Sequence, residues 1–250
     1  MSLSEWEYRF LKKYFPRAPD SGTCSEGCGV HSRLRLLLGD DVVRSLRGKV
    51  VVDFGCGEGN EAIDLAQSGA ARVIGVDIRE SVLAIARRHA EAAGVSAVCE
   101  FTTTPSQGHA DAIISIDAFE HFPEPATILT TMRDILKTGG KIFISFGPPW
   151  LHPIGGHLFS VFPWAHLILN EAALIRWRSD FKSDGASRFG EVEGGLNQMT
   201  IGRFERLART TEGLKLGKLE AVPIRSLRWA HNYFTREFTT SIVRCELVKV

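Results

Sequence analysis

The sequence predicts an α/β fold in which a mostly parallel sheet carries helices on both faces. The main observation is the alternation between residues 50 and 146, where short apolar strands are followed by helices with a 3.6-residue apolar period. A second is the valine run at 50–52, whose β-branched side chains suit a buried parallel strand. A third is the glycine-rich loop at 55–59, between that strand and a helix. A β-α-β-α-β order requires parallel strands joined by helices that cover both faces.

Each element follows from its local pattern. An N-terminal helical segment over 1–47 contains an amphipathic helix at 4–15 and a second helix at 40–46. The first five strands are predicted at 50–53, 72–76, 98–102, 112–116 and 141–146. The helices between them are predicted at 61–68, 82–93 and 126–136. A helix at 200–211 and strands at 216–224 and 239–250 complete a seven-stranded sheet.

The regular alternation stops after the fifth strand, and residues 148–197 follow without it. This stretch exceeds ordinary loop lengths and lies at the carboxyl edge of the sheet, where open α/β sheets bind ligands. It is rich in aromatic residues: Trp150, Phe159, Phe162, Trp164, Trp177, Phe181 and Phe189. We therefore expect a folded cap that lines a binding pocket, with apolar walls from residues such as Trp150, Phe159 and Phe162.

Composition limits the class of protein. The 250 residues, 44% of them hydrophobic, are enough for one domain over 1–250 with a sizeable core. A net charge of +1 gives no overall attraction to nucleic acid or to an anionic membrane. Five scattered cysteines are expected to be free thiols: Cys24, Cys28, Cys56, Cys99 and Cys245. No secretory signal or membrane-spanning run is recognisable, so we expect a cytoplasmic protein.

The glycine loop does not have the spacing of a dinucleotide site. Its pattern is G-x-G-x-G, and the third glycine of the dinucleotide fingerprint is replaced by Asn60. Asp53, two residues before the first glycine, would repel a pyrophosphate but would attract a cationic group. The next strand ends in Asp77, whose carboxylate can accept hydrogen bonds from two ribose hydroxyls. The pattern favours a ligand that carries both a cation and a ribose.

The segments D53-F-G-C-G-E-G59 and G75-V-D-I78 resemble the first two motifs of class I S-adenosylmethionine-dependent methyltransferases. The resemblance extends from about residue 50 to 147 and returns weakly in the last fifty residues. It implies a Rossmann-like sheet and S-adenosylmethionine (SAM) as cofactor. The cofactor-binding residues that it implies are Asp53, Gly55, Cys56, Gly57, Asp77, Ile78 and Asp117. In this arrangement Asp53 meets the methionine ammonium, Asp77 holds the ribose and Ile78 lies against the adenine.

The methionine carboxylate of SAM also needs a cation. Arg35 lies eighteen residues before Asp53, and the segment H31-S-R-L-R-L36 is similar to that of quinone-biosynthesis O-methyltransferases, in which such an arginine has this role. The alternative for Arg35 is a solvated charge on a helix.

After the third strand, methyltransferases of this class often have an acid that binds the adenine amino group. Here the segment 101–107 has no carboxylate, so Thr103, Thr104 or a backbone carbonyl must replace it.

The segment D117-A-F-E-H121 follows the fourth strand and allows two interpretations. In the first, Asp117 contacts the cofactor and His121 packs. In the second, it is similar to the E-x-x-E-H metal ligands of small-RNA and quinone O-methyltransferases, with His152 and His157 as further ligands. Asp117 is one methylene shorter than the glutamate of that pattern, and we predict no metal. The candidate general bases are His121, His152 and His157, with His166 as a further cap histidine, although a single histidine is more often structural.

The sequence therefore predicts methyl transfer from SAM to a small or lipid-like acceptor by in-line displacement. The acceptor is expected to have an apolar part because the cap is aromatic and not basic. One alternative is a nucleic-acid methyltransferase, which would use Arg176, Arg178, Lys182 and Arg188 interleaved with Trp177 and Phe181. Another is a regulator that binds the cofactor without catalysis. No stable nucleic-acid partner and no membrane span are expected, and the acceptor atom and the oligomeric state stay open.

Overall fold

The computed structural model describes residues 2–17, 33–105 and 107–250. The strands are β1 (Val50–Phe54), β2 (Arg72–Val76), β3 (Cys99–Thr102), β4 (Ala110–Ile116), β5 (Leu136–Phe146), β6 (Leu214–Pro223) and β7 (Thr240–Lys249). The helices are α1 (Leu3–Tyr14), α2 (Leu34–Leu38), α3 (Asp40–Ser45), α4 (Asn60–Gln67), α5 (Glu80–Ala92), α6 (Pro125–Ile135), α7 (Ala165–Ile168), α8 (Glu171–Ser179), α9 (Ile201–Thr210) and α10 (Arg236–Thr239). The predicted elements are present, with small shifts at their ends.

All seven strands form one sheet, in the order β3-β2-β1-β4-β5-β7-β6. The first five strands pair in parallel, and β7 pairs antiparallel with both of its neighbours. The predicted seven-stranded, mostly parallel α/β fold is confirmed. One boundary differs, because β5 begins at Leu136, whereas the fifth strand was predicted at 141–146.

Each face of the sheet is covered by its own apolar core. On one face, α4 and α5 pack on β1 to β3 through residues such as Leu65, Leu83 and Val73. On the other, α6 and α9 pack on β4 to β7 through residues such as Leu129, Phe146 and Phe204. The carboxyl ends of β1, β2 and β4 thereby meet at one edge, between the two helical layers.

A third apolar cluster lies outside the sheet, between α1 and residues 148–197, which we call the cap segment. Tyr8 and Leu11 of α1 pack against Leu174 and Trp177 of α8. Phe159, Phe189 and Leu196 belong to the same cluster. Phe159 is only 2% exposed, so it packs inside the cap segment and does not form the wall of an open pocket as expected. The N-terminal helix and the cap segment are one folded unit, because neither could bury its apolar face without the other.

Buried polar contacts join this unit together. The buried Glu7 carboxylate accepts hydrogen bonds from both nitrogens of Asn170, at 3.1 and 2.7 Å. The indole of Trp177 donates to the carbonyl of Phe15 at 2.8 Å.

Three of the five cysteines lie in the described residues, and all three are free thiols: Cys56, Cys99 and Cys245. Cys24 and Cys28 lie outside the described residues. In the described part of the chain, no helix has the length and apolar character needed to cross a bilayer.

Candidate active site

The glycine loop after β1 is open towards solvent at its centre. The backbone N–H groups of Gly55 and Cys56 donate to the carbonyl of Val76 at 2.8 and 3.0 Å, which fastens the loop to β2. A side chain at Gly55 would lie 2.6 Å from the Ala118 Cβ, so that position requires glycine. Gly57 has φ +51° and open space where a Cβ would be, so a ligand can approach its backbone.

Asp53, at the end of β1, is a buried carboxylate whose surroundings disfavour its charge. The residue is 2% exposed, and its Oδ2 atom has no hydrogen-bond partner among the described residues. Burial raises the pKa of Asp53 well above its usual range, and the nearby carboxylates of Glu61 and Asp77 raise it further. A cationic ligand group beside Oδ2 would remove much of this penalty.

Asp77, directly after β2, is held as an ionised acceptor. Its Oδ1 accepts from the backbone N–H and the Nε of Arg79, both at 3.0 Å. Its Oδ2 accepts from Arg79 Nη2 at 3.1 Å and from the Gly57 N–H at 3.2 Å. Burial alone would raise the pKa of Asp77, but the hydrogen bonds with Arg79 lower it below the usual value. Arg79 therefore orients this carboxylate, a role that the motif comparison missed.

A third carboxylate, Asp117, follows β4 and is paired with Arg33. The Arg33 Nη1 donates to Asp117 Oδ2, and the Arg33 backbone N–H donates to Glu61 Oε1 at 3.2 Å. Burial raises the pKa of Asp117 to about 6, although the charge of Arg33 opposes the increase. Arg33 therefore brings a cation to the edge of a group of carboxylates.

Arg35, two residues further along the chain, faces another direction. Its Nη1 donates to Asp40 at 3.0 Å and its Nη2 to Ser68 Oγ at 2.8 Å. Residues two apart on a helix do not share a face, so Arg33 and Arg35 point to different surroundings. The sequence argument selected Arg35 by its spacing, whereas the structure places Arg33 beside Asp117.

Two further residues of the expected cofactor site differ in exposure. Ile78 is 88% exposed, which is unusual for an isoleucine beside a buried acid and leaves an apolar face next to Asp77. Cys56 is buried, and burial raises the pKa of its thiol, so its side chain offers no charged group to a ligand. Beyond β3, Thr103 and Thr104 are exposed.

The structure brings two of the three candidate bases together. The rings of His121 and His157 lie 5.4 Å apart, at an angle of 70°. His121 Nδ1 lies 2.8 Å from the carbonyl oxygen of Gly195, and because a carbonyl only accepts, Nδ1 carries the proton. The Nε2 lone pair of a neutral His121 is then available. Burial lowers the pKa of His157, and the neighbouring His121 and His166 lower it further. His157 is therefore uncharged near neutral pH.

His152 and His166 lie within the cap segment and have structural partners. His152 is buried, its Nδ1 accepts from the Ile154 N–H at 3.0 Å, and burial lowers its pKa to about 4. His166 Nε2 donates to the Trp150 carbonyl at 2.7 Å, and its Nδ1 contacts Ser160 Oγ at 2.9 Å. In the residues that the structure describes, no group of three or more histidine, cysteine or acidic side chains is arranged to hold a metal ion.

The turn that carries His121 is clamped by the end of the cap segment. Asn197 Nδ2 donates to the carbonyls of Phe119 and Phe122, each at 2.8 Å, and its N–H donates to the Glu120 carbonyl at 2.9 Å. Gly195 approaches so closely that a Cβ there would lie 2.7 Å from the His121 carbonyl oxygen. No sequence motif marks these contacts, because they join segments about seventy-five residues apart.

Glu120, in the same turn, is a buried acid. It is 3% exposed, its Oε1 accepts from the Gly147 N–H at 3.4 Å, and its Oε2 has no partner within the described ranges. Burial raises the pKa of Glu120 to about 8.

The basic residues of the nucleic-acid alternative are paired with acids. Arg178 is buried and forms two hydrogen bonds with Asp184, at 2.7 and 2.6 Å. Arg176 pairs with Glu5, and the Trp177 ring is buried in the cap core. The remaining two cations also have acidic neighbours, in the pairs Lys182–Glu193 and Arg188–Glu191. These side chains do not form a free basic surface with stacking rings.

Comparisons with known proteins show what this chain is similar to. The profile of a family described as a methyltransferase domain matches residues 52–144. The ubiquinone biosynthesis O-methyltransferase of Acinetobacter baumannii (strain ACICU) is 36% identical over 119 residues, which are 45% of this chain and 49% of that protein. The chain thus spans about half the length of this curated relative.

Solved structures share the fold over most of the chain. An S-adenosylmethionine-dependent methyltransferase from Mesorhizobium loti has a TM-score of 0.54 at 16% identity, covering 84% of this chain and 96% of that one. The magnesium protoporphyrin IX methyltransferase of Synechocystis PCC 6803, solved with bound SAM, has a TM-score of 0.52 at 16% identity, covering 100% and 98%. Residues 52–144 thus match a methyltransferase domain, and the chain shares its seven-stranded fold with S-adenosylmethionine-dependent methyltransferases.

Proposed function

We propose that this protein transfers a methyl group from SAM to a small or lipid-like acceptor that has an apolar part. The observation that carries the proposal is the unpartnered Oδ2 of buried Asp53, below an open glycine loop. A buried carboxylate is costly unless a cation binds it, and SAM carries both an ammonium and a sulfonium. The cofactor supplies an activated methyl group; the protein has to align it with the acceptor and exclude water.

The residues around the loop fit the remaining parts of SAM. Asp53 would bind the ammonium, and Gly57 would let the methionine part lie against the backbone. Asp77 is held ionised by Arg79, and its two oxygens already accept four hydrogen bonds. The ribose hydroxyls would therefore take the place of some of the Arg79 side-chain bonds to Asp77. The exposed Ile78 would cover one face of the adenine. For the methionine carboxylate we propose Arg33 in place of Arg35, because Arg33 lies beside Asp117 and Glu61 at this edge.

On the acceptor side, we propose His121 as the general base, with His157 beside it. Its Nδ1–H is held by Gly195, which directs the Nε2 lone pair away from the cap backbone. His121 follows β4 at the same sheet edge as Asp117, and so lies close to the proposed methyl donor. His152 is already engaged by the Ile154 N–H, and we assign it a structural role.

Two observations support a small or lipid-like acceptor. The matched curated relatives are ubiquinone biosynthesis O-methyltransferases, over about half of their length. The cations of the cap segment that a nucleic acid would contact are paired with acids. The alternative is a regulator that binds the cofactor without catalysis. Formation of S-adenosylhomocysteine distinguishes the two functions, because only the enzyme would produce it.

The proposal is tested by measuring S-adenosylhomocysteine release with a panel of phenolic, quinol-like and lipid-like acceptors. With an active acceptor, His121→Gln should lower kcat by about 100- to 10,000-fold, the range for a general base, while the Kd for SAM stays unchanged. His152→Gln is the matched control, and it should lower thermal stability more than kcat. If SAM binds but none of the acceptors leads to release of S-adenosylhomocysteine, the result would favour a regulator that binds the cofactor without catalysis. Equal loss of kcat in both variants would contradict the assignment of His121.

A further inference from the structure

The connection between β6 and β7, residues 224–239, is the most exposed aromatic surface of the described chain. We call it the hairpin segment. Its base is set by the pair Pro223–Thr240, and Phe146 at the end of β5 pairs with Val243. Because β5 is parallel to β4 and β1, the hairpin segment lies at the carboxyl edge of the sheet. Asp53, Asp117 and His121 lie at the same edge.

Three large rings of the hairpin segment stand in solvent within six residues. Trp229, Tyr233 and Phe234 are 85%, 73% and 88% exposed, and Phe238 is 44% exposed. Tyr233 and Phe234 contact each other edge to face, at 5.6 Å between their centroids. Single exposed apolar residues are common, but a cluster of exposed rings of this size marks an interaction surface.

The backbone beneath these rings is ordered by its own side chains. Asn232 Oδ1 accepts from the N–H groups of Phe234 and Thr235, at 2.9 and 3.3 Å. Thr235 Oγ1 and Asn232 Nδ2 both donate to the Ala230 carbonyl. The polar groups of the turn are therefore satisfied internally, and the turn projects its apolar side chains outward. This arrangement is costly in water unless another phase or molecule covers the rings.

The charge of the hairpin segment indicates what covers it. The segment contains three arginines and one acid, Glu237, although the whole chain has a net charge of only +1. Glu237 is turned inward and accepts from the N–H groups of Ile201 and Gly202, and Arg236 is paired with Glu205. Arg225 and Arg228 are exposed, and neither forms an ion pair within the described ranges. The hairpin segment thus carries two exposed guanidinium groups without ion pairs among the described residues, in addition to its exposed rings.

We propose that the hairpin segment binds the surface of an anionic phospholipid bilayer. Tryptophan and tyrosine rings partition to the boundary between headgroups and acyl chains, and phenylalanine enters the acyl region. Arginine guanidinium groups pair with lipid phosphates. A neutral protein partner would need no free arginines, and a nucleic acid would need a longer basic surface.

Binding through this segment would turn the carboxyl edge of the sheet towards the bilayer. The inference rests on the proposed function only in one respect, namely that a lipid-like acceptor would reach the site from the membrane. The binding itself needs neither cofactor nor acceptor, so the two proposals can fail separately.

The test is co-sedimentation of the full chain with phosphatidylcholine vesicles, with and without phosphatidylglycerol, in the absence of SAM. We expect binding to the anionic vesicles only, and weaker binding as salt increases. Trp229→Ser combined with Phe234→Ser should abolish binding, and Trp6→Ser, which changes an exposed tryptophan on α1, should not. Arg225→Gln combined with Arg228→Gln should weaken binding by roughly 25-fold, about fivefold for each arginine near an anionic surface.

The charge-matched control is Arg47→Gln combined with Arg88→Gln, two exposed arginines remote from the hairpin segment. It should bind as the unsubstituted protein does, and all variants should keep its affinity for SAM. The proposal would be overturned if the protein bound neither kind of vesicle. It would also be overturned if the control variant lost as much vesicle binding as the Arg225 and Arg228 double variant. Sedimentation velocity without vesicles completes the test: self-association that only the Trp229 and Phe234 double variant abolishes would assign the rings to an interface between copies.

Discussion

Asp53 shows at the scale of one residue how a binding function opposes stability. The carboxylate is buried without a partner for Oδ2, and its pKa is raised well above the usual value. A raised pKa means that the folded state binds a proton more readily than the unfolded state, so stability falls as pH rises above the ordinary carboxyl range. The proposed ammonium of SAM would offset this cost only when the cofactor is bound.

Asp53→Asn is therefore expected to stabilise the free protein and to weaken cofactor binding. The free energy of unfolding should increase at neutral pH, and the gain should vanish below about pH 4, where the unfolded aspartate is also protonated. Affinity for SAM should fall by about 1.5–3 kcal/mol, the range for a hydrogen bond to a charged group. Urea unfolding at several pH values and calorimetric titration measure both effects.

Asp111→Asn is the control of opposite sign. Lys137, together with the Val50 N–H, lowers the pKa of Asp111, so its charged form stabilises the fold and the substitution should destabilise it slightly. It should not change affinity for SAM. A loss of stability in Asp53→Asn, or unchanged affinity, would contradict the role of Asp53 as a cation-binding carboxylate.

Arg33 and Arg35 provide a second test at this scale, with two arginines that are equally exposed. Arg33→Gln should weaken binding of SAM by about 1–3 kcal/mol and leave adenosine binding nearly unchanged, because adenosine has no carboxylate. Arg35→Gln should leave both affinities unchanged, since its partners are Asp40 and Ser68. The reverse order, measured by calorimetry, would support the interpretation based on sequence spacing instead.

At the scale of elements, the cap segment contacts the turn that carries His121 at several points. Asn197 connects the end of this segment to the turn after β4 by three hydrogen bonds, and Gly195 holds the His121 proton. The end of the cap segment thus orients the proposed base. Phe159 and Trp177 are buried in the core that this segment forms with α1, so we do not expect these two side chains to contact an acceptor.

Asn197→Ala is expected to lower kcat while leaving the Kd for SAM unchanged. The substitution leaves the buried carbonyls of Phe119 and Phe122 without donors, which should also cost about 1–3 kcal/mol of stability. Thr200→Ala is the control, because it removes the N-cap bond of α9 and costs about 1 kcal/mol without touching the turn. If both variants lose kcat in proportion to stability, Asn197 is structural and does not position His121.

At the scale of the whole molecule, the sheet and the cofactor edge could be predicted from local patterns. Valine runs, helix periods and glycine turns depend on neighbours within a few residues, and strand ends in a parallel sheet necessarily meet at one edge. For this reason Asp53, Asp77 and Asp117 were found together at the predicted edge. The same reasoning recognised that 148–197 and 1–47 depart from the alternation.

The sequence by itself thus determined the fold class, the family resemblance and the acids at the strand ends, because each follows from short-range patterns. Only the tertiary structure decided which side chains face one another. It placed Arg33 beside Asp117 where spacing had favoured Arg35, joined Asn197 to the His121 turn, and brought His157 beside His121. It also left the rings of the hairpin segment in solvent. Contacts between segments distant in sequence depend on packing directions and side-chain rotamers, and no local pattern encodes these.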